Sequence, residues 1–261
     1  MVFETGERVK FGKCPLKGVI CQIRFPNMLI INAEEPTKFQ VEIKDQFPKY
    51  ELLIEEQDQF VFDTAPNTLR IPKLVQNRNK NHKFSSSSGD YSVNLTSTFI
   101  SLSTNKYTTW DDFSTVLKKV VSSFIKIYEP AFYIRIGLRY IDAFNEKDYK
   151  INSKNINKLF APYILGIMAS PVVTDKIKTF SNSAEITLSD KMLAKILVTK
   201  GFVENETQSS IILDTDIILS EQANFDDYID KLNNMHAEAS GVLRWAVKEK
   251  MIKIMEPTDI I

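Results

Sequence analysis

The sequence predicts an α+β protein in which one structural unit occurs twice. Three observations lead to this class. A segment in the middle of the chain has the alternation of a β-strand, short motifs recur at a fixed spacing, and a long amphipathic helix pattern closes each half. Alternating strands and helices of this kind bury their apolar faces by stacking helices on a sheet.

The strand pattern lies between Phe132 and Asp142. Its apolar residues Ile136 and Leu138 fall on one face, and Arg135 and Arg139 fall on the other, because successive side chains of a strand point in opposite directions. The β-branched and aromatic content is also typical of strands. This segment is therefore predicted to be a strand with one charged face.

Two motifs recur at the same distance along the chain. The run Gln22 to Phe25 resembles Gly137 to Tyr140, with the arginines 115 positions apart (139 − 24). The aromatic-Asp-Asp-aromatic run at Trp110 recurs at Phe225, again 115 positions later (225 − 110). Both runs follow a capping residue type and place acids in the first helical turn. The alternative is that such a run is simply a common helix start.

The repeat divides the chain into a lead-in at 1–15, a first α+β unit at 16–129 and a second unit at 130–261. In the first unit we predict an irregular segment at 63–91 and the following elements: strand 19–25, a helix from Pro36, strand 50–62, strands 91–98 and 99–103, and a helix from the Thr109 cap to Tyr128.

The second unit follows the same plan and ends in a long helix that begins at Phe225 after an Asn224 cap and continues until Pro257 stops it. Gly241 in its middle is expected to permit a kink or a close approach. The other predicted elements are strand 132–142, a helix within 153–166, and strands 177–188, 192–203 and 209–219.

Two architectures fit this order of elements. Two units that pair their sheets about a pseudo-twofold axis would resemble the saddle of the TATA-binding-protein fold, with Arg24 and Arg139 symmetry-related on one sheet surface. The alternative is a helix-grip fold, in which a curved sheet wraps the last helix and encloses a cavity.

Composition excludes several classes of function. Lysine plus arginine and aspartate plus glutamate are equal at 33 each, so no overall positive field indicates nucleic acid. No glycine-rich phosphate loop is present, and His82 and His236 are the only histidines. Cys14 and Cys21 form no metal or disulfide framework. We therefore predict no cofactor, no metal site and no assembled catalytic set.

The N-terminal residues lack the pattern of a secretion signal, and no apolar run is long enough to cross a membrane. These features predict a cytoplasmic protein without membrane contact. The sequence leaves open whether it forms a homo-oligomer.

Charged residues on a central strand must be paired, exposed or used for binding. For Arg139, ion pairing with Asp142 or Asp214 and ligand binding are equally favoured. The residues predicted to contact a ligand or partner are Arg24, Arg135, Arg139 and His236. For His236 the favoured alternative is a buried, hydrogen-bonded residue of the last helix.

One basic cluster lies within the segment predicted to be irregular. A phosphate-contacting arm needs positive charge on flexible backbone. The competing interpretation is a solvated connection between two strands. The candidate nucleic-acid contacts are Arg70, Lys73, Arg78, Lys80 and Lys83.

The motifs Cys21–Pro26 (CQIRFP) and Arg135–Tyr140 (RIGLRY) resemble the signature strands of a sporadically distributed, uncharacterised bacterial and archaeal family of about this length. The resemblance covers nearly the whole chain. Members more often carry asparagine where Asp142 stands. The patchy distribution implies a neighbourhood of host-defence or toxin–antitoxin genes.

Three functions follow as hypotheses. The first is a non-catalytic interaction protein that binds a protein partner through its sheet or its long helices. The second is a nucleic-acid-binding module that uses the basic cluster and the strand arginines. The third is a small-ligand or lipid binder of the helix-grip type.

Overall fold

A computed structural model describes residues 1–4, 9–61, 73–202 and 208–259, with backbone alone at 55–61 and 73–78. Arg70 lies outside the described residues. The fold is mixed α+β with a large antiparallel sheet, as the sequence predicts.

The first half of the chain contains elements that agree with most of the predicted positions. Thr109 caps the long helix, since its hydroxyl oxygen accepts a hydrogen bond from the Asp112 amide at 3.1 Å. The elements are β1 (Val9–Phe11), β2 (Leu16–Arg24), α1 (Leu29–Ala33), α2 (Thr37–Ile43), β3 (Lys49–Val61), β4 (Lys73–Ser85), β5 (Tyr91–Leu95), β6 (Phe99–Thr104) and α3 (Trp110–Tyr128).

The second half begins with the strand around which the sheet is built. Two single helical turns, followed by short 3-10 segments, replace the one helix predicted within 153–166. The elements are β7 (Tyr133–Asn145), α4 (Ile156–Leu159), α5 (Pro162–Leu165), β8 (Phe180–Ser189), β9 (Met192–Phe202), β10 (Ser209–Ala223), α6 (Tyr228–Ala246), α7 (Glu249–Ile254) and β11 (Pro257–Asp259).

In the described part of the chain, one antiparallel sheet of nine strands has the order β3-β4-β5-β6-β2-β7-β10-β9-β8. Strands β2 and β7 pair at its centre, with Gln22 opposite Gly137 and Arg24 opposite Arg135. Strands β1 and β11 form a separate two-stranded sheet. The two strands that carry the repeated arginine motif, β2 and β7, therefore lie next to each other.

The helices pack on one face of the large sheet. Phe25 stacks on Phe124 of α3 at a ring distance of 4.7 Å, and Tyr140 of β7 contacts His236 of α6. Along β2, residues Val19, Cys21 and Ile23 are buried, and the residues between them are half-buried or exposed. No helix in the described residues combines the length and apolar character that crossing a membrane requires.

The segment predicted to be irregular at 63–91 contains a long strand instead. Strand β4 pairs with β3 along its whole length and with β5 near its end. Its run from Gln76 to Lys83 is polar and has few residues that favour strands, so the local pattern indicates a loop. Long-range pairing overrides that preference. His82 is fully buried in this strand, and its Nε2 donates to the Ile31 carbonyl at 3.1 Å.

Two predictions for the last helix are wrong. Helix α6 begins at Tyr228 rather than Phe225, and Asn224 does not cap it. The chain also leaves the helical conformation at Val247, where extended backbone forms a bridge to Phe160 and separates α6 from α7. Gly241 does permit a close approach, which is made by Phe3. The lead-in at 1–15 is likewise partly ordered through β1.

Candidate functional site

The sheet face opposite the helices carries the predicted strand arginines. We call this surface the open face and define it by Ile20, Gln22, Arg24, Arg135, Gly137, Arg139, Asp214 and Asp216. These residues alternate with the buried residues of β2, β7 and β10 and are themselves mostly half-buried or exposed. Three of the four residues predicted to bind a partner therefore share one surface.

Arg139 is held by an acid on the neighbouring strand. Its Nε donates to Asp214 Oδ1 at 2.8 Å, and its Nη2 donates to Asp214 Oδ2. Such two-point contacts orient a guanidinium firmly. The hydrogen bond to Asp214 raises the pKa of Arg139. Of the two acids that the sequence offered, Asp214 is the partner, while Asp142 lies on the buried face.

Arg135 is also engaged, but in a looser arrangement. Its Nη1 donates to Gln22 Oε1 at 3.2 Å, and its Nη2 lies 3.6 Å from Asp216 Oδ2. The guanidinium lies over Gly137, where a Cβ atom would come within 3.1 Å of Nη1. Burial raises the pKa of Asp216, although Arg135 and Arg139 act to lower it.

Arg24 differs from the other two arginines. It is exposed at the end of β2, directly opposite Arg135 on the same face. Within the described part of the chain, no acidic side chain forms an ion pair with Arg24. Two like charges directly opposite each other in a sheet are unfavourable. Arg24 is thus a guanidinium available for an external anion.

His236 is separated from these arginines by the sheet. Its Nδ1 shares a hydrogen bond with the Tyr140 hydroxyl at 2.8 Å, and its ring stacks on Trp110 at 4.6 Å with an interplanar angle of 6°. Trp110 Nε1 also donates to Asn233 at 2.8 Å. His236 therefore helps to join α3, α6 and β7.

The candidate nucleic-acid contacts are spread over β4. Lys83 lies on the same side of the sheet as the open face, and its ammonium forms an ion pair with Glu51 at 3.2 Å. Lys80 lies on the opposite side by strand alternation. Backbone positions are described for Lys73 and Arg78. The described pattern places these charges on a paired strand rather than on a free arm.

A carboxyl group without a predicted role lies inside the protein. Burial, and next the nearby Asp214 carboxylate, raise the pKa of Asp142 to about 7. The side chain is 5% exposed. Its position on β7 places it next to the bulge where β2 begins to pair.

The described surface contains two notable clefts. One, of about 470 Å³, lies between α2 and α3 and is lined by Val41, Glu42 and Lys126. The other, of about 580 Å³, lies beside residues 2–4 and is lined by Ile186 and Trp245. Among the described residues, no group of three or more His, Cys, Asp or Glu side chains is placed to hold a metal ion.

Sequence reasoning missed the roles of Gln22, Gly137 and Asp216. A signal for the acid was present, because Asp214 and Asp216 alternate with apolar residues on a predicted strand, as Arg135, Gly137 and Arg139 do. Opposite charges on one face of each of two strands indicate that the strands are adjacent.

Comparison with known proteins adds no assignment. No protein-family model matches the chain, and no curated protein matches it.

Proposed function

We propose that this protein is a non-catalytic scaffold that binds a protein partner on its open face, with Arg24 as the anchoring residue. The observation that carries the proposal is the exposed guanidinium of Arg24, which lies opposite a second arginine and without an acidic partner among the described residues. The partner is a protein surface that presents a carboxylate.

The charge arrangement supports this choice. Arg135 and Arg139 are already held by Asp216 and Asp214. In the described part of the chain no acid pairs with Arg24, and its neighbour across the pair with β7 is another arginine. Folding alone gives no reason to keep a cation at this position, because a neutral residue would remove the repulsion. A carboxylate supplied by a partner would neutralise it. Charge-assisted hydrogen bonds to arginine are strong and directional.

The same charges favour protein over nucleic acid. Asp214 and Asp216 lie among the arginines of the open face, where they would repel a phosphate backbone. A protein surface can match alternating charges, because acidic and basic side chains are both available to it. The predicted basic cluster remains the alternative contact for nucleic acid, and the experiment below distinguishes the two.

We further propose that the scaffold arose by duplication and adopts the saddle arrangement. The residues of the central pair Gln22 and Gly137 are themselves 115 positions apart (137 − 22), which is the spacing of the repeated motifs. A pseudo-twofold axis through this pair relates Arg24 to Arg139, each two residues from the axis. The pairing register is observed independently of the sequence motifs, and it supports the same symmetry relation between the two units.

Two aromatic pairs support the duplication as well. Trp110 contacts Phe113 at a ring distance of 6.0 Å, and Phe225 contacts Tyr228 at 6.3 Å. Both members of the second pair lie 115 positions after those of the first (225 − 110 and 228 − 113). The two units differ by one strand, since β3 to β6 follow β2 whereas β8 to β10 follow β7.

The core under α6 favours the saddle over the helix-grip alternative. Leu232, Met235 and Val242 on α6 are fully buried and belong to the same apolar core as Ile217 of β10. A helix-grip ligand site would require space between these two elements. Side chains fill the described part of that region.

The resemblance of the signature strands suggests the setting of this binding. A sporadically distributed family implies a partner encoded with defence or toxin–antitoxin genes, in the cytoplasm. We propose this setting for the partner of the open face.

A pull-down from the native cell tests the function. Wild-type protein, Arg24→Glu and Lys118→Glu are compared in untreated and nuclease-treated lysate. Lys118 is an exposed residue of α3 and provides the same charge change away from the open face. The proposal predicts a nuclease-resistant protein that wild type and Lys118→Glu retain and Arg24→Glu loses. Retention by Arg24→Glu, or release by nuclease, would contradict it.

A further inference from the structure

A second surface, on the opposite side of the molecule from the open face, holds a short extended segment of the chain. Both oxygens of the buried Glu238 carboxylate accept hydrogen bonds from consecutive backbone amides, at 3.1 Å from Val2 N and 3.2 Å from Phe3 N. Glu238 is on α6 and is only 5% exposed. These hydrogen bonds involve the backbone of residues 2 and 3 and do not depend on their side chains.

The backbone and Cβ of Phe3 lie in a notch on the same helix. A Cβ atom at Gly241 would lie 2.6 Å from Phe3 Cβ and 3.0 Å from the Phe3 carbonyl oxygen, so the notch exists only because residue 241 is glycine. Trp245, one turn further along α6, closes the notch with an edge contact to the Phe3 ring at 5.4 Å. Tyr163 stacks on Trp245 at 4.4 Å and supports it from behind.

The groove extends beyond the segment that occupies it. The cleft of about 580 Å³ beside Val2, Phe3 and Glu4 is bounded by Ile186 of β8 and Arg244 of α6. Residues 1–4 therefore leave room for further side chains along the same path.

We propose that this groove on α6 is a recognition site for an extended peptide segment with an aromatic residue, and that residues 1–4 occupy it within the same chain. Glu238 supplies a two-point acceptor for adjacent backbone amides, the Gly241 notch admits the backbone and Cβ of the aromatic residue, and Trp245 contacts its ring. Backbone donors plus one pocket are the elements of extended-peptide recognition. The two hydrogen-bond donors are backbone amides, and the N-terminal ammonium of Met1 forms a longer ion pair with Glu238 Oε1 at 4.0 Å.

A buried carboxylate explains why the site must remain occupied. An unpaired charge in the interior is strongly unfavourable, so Glu238 needs these donors or equivalent ones from another chain. Residues 1–4 thus compete with any external peptide. This inference is independent of the open face, because it rests on different residues on the helical side of the sheet.

The test uses a fluorescent form of the blocked peptide acetyl-Met-Val-Phe-Glu-amide as the probe. In the full chain, Phe3→Ala weakens the internal occupant and leaves the groove intact. We expect the probe to bind Phe3→Ala about ten-fold more tightly than wild type, since the internal competitor is lost. Adding Glu238→Gln to that variant, or methylating the two probe amides, should reverse the gain.

Gly241→Ala provides the matched variant. Its added Cβ fills the notch, so it displaces the backbone and Cβ of Phe3 and excludes the same atoms of the probe's phenylalanine. We expect this variant to bind no probe even though residues 1–4 are released. Equal probe affinity in Gly241→Ala and Phe3→Ala would overturn the proposal, as would a folded Phe3→Ala that binds no probe.

If Phe3→Ala does not fold, a titration of the wild-type protein with the probe tests the proposal instead. In ¹⁵N-labelled protein, excess probe should shift the backbone amide signals of Val2, Phe3 and Gly241. Signals that stay unchanged at millimolar probe would overturn the proposal. Residues 1–4 could instead occupy the groove of a second copy of the chain. A dimer that light scattering detects and that excess probe does not dissociate would show this and would also overturn the proposal.

Discussion

The guanidinium of Arg135 occupies the space above Gly137 where any other residue would place its side chain. A Cβ atom on Gly137 would lie 3.1 Å from Nη1 and 3.3 Å from Nη2 of Arg135. The absence of a side chain lets Arg135 lie flat along the sheet, toward Gln22 and Asp216. Arg24, on the opposite strand, differs from Arg135 in that no acid among the described residues pairs with it.

Gly137→Val tests this arrangement. Valine favours strands, and the atoms it meets belong to the end of a flexible side chain, so we expect the free energy of unfolding to change by less than about 1 kcal/mol. The displaced Arg135 would approach Arg24 and disturb the docking site. Urea denaturation and partner titration measure the two effects. Unchanged partner affinity would show that the position of Arg135 does not matter.

The buried carboxyl of Asp142 makes stability depend on pH. Its pKa of about 7 in the folded protein is above the ordinary value, so the folded state binds the proton more tightly than the unfolded state. The stabilisation is complete at pH below the unfolded pKa of about 4 and is lost as pH rises through 7. We therefore expect wild-type stability to fall between pH 5 and pH 8.

Asp142→Asn should remove this decline, because the amide carries no charge at any pH in that range. Three pKa units correspond to at most about 4 kcal/mol, so the variant should be more stable than wild type at pH 8 by about 2 to 4 kcal/mol. Urea unfolding at pH 5 and pH 8 checks the difference. Parallel pH profiles for the two proteins would refute the assignment to Asp142.

Replacing His236 should lower stability and leave partner binding unchanged, which is the opposite of the effects expected for Arg24→Glu. Replacing His236 by alanine removes the ring stacked on Trp110 and the partner of the Tyr140 hydroxyl, which should cost about 2 to 4 kcal/mol of stability. The protein that remains folded at low temperature should bind its partner normally, since His236 is across the sheet from the open face. A folded His236→Ala protein with weakened binding would assign His236 to the interface.

The basic residues of β4 test the nucleic-acid alternative. Lys83 is already paired with Glu51, and Lys80 lies on the other side of the strand. We expect the combined Arg78→Ala, Lys80→Ala and Lys83→Ala protein to retain the same partner as wild type. An affinity for single- or double-stranded nucleic acid that falls steeply with salt, and falls again in the triple variant, would establish that alternative.

Local pattern predicted the strands whose alternation is apolar against charged. β7 was identifiable because Ile136 and Leu138 alternate with Arg135 and Arg139, and α3 because Thr109 and Asp112 provide a cap. The predictions failed where long-range contacts decide the structure. The polar run of β4 becomes a strand through its pairing with β3, and α6 ends where Val247 pairs with Phe160.

The open face was likewise predictable from local pattern in part, and in part decided by long-range contacts. Arginines on a strand were enough to predict a charged surface, since alternation alone gives their common side. Their partners required the order of the strands: Asp214 and Asp216 meet the arginines only because β10 lies beside β7. The notch at Gly241 depends on a segment more than two hundred residues away, which no local pattern contains.

The most direct test of the account measures affinity and stability on the same variant. Arg24→Glu places an acid opposite Arg135, so the like-charge repulsion becomes an attraction and the fold should gain about 0.2 to 1 kcal/mol. Its affinity for the captured partner should nevertheless fall by about 30-fold or more, while Lys118→Glu binds as wild type does. A protein that is more stable but no longer binds is the predicted result. Arg24→Glu protein that binds its partner as tightly as wild type would contradict the role of Arg24 and with it the proposed function.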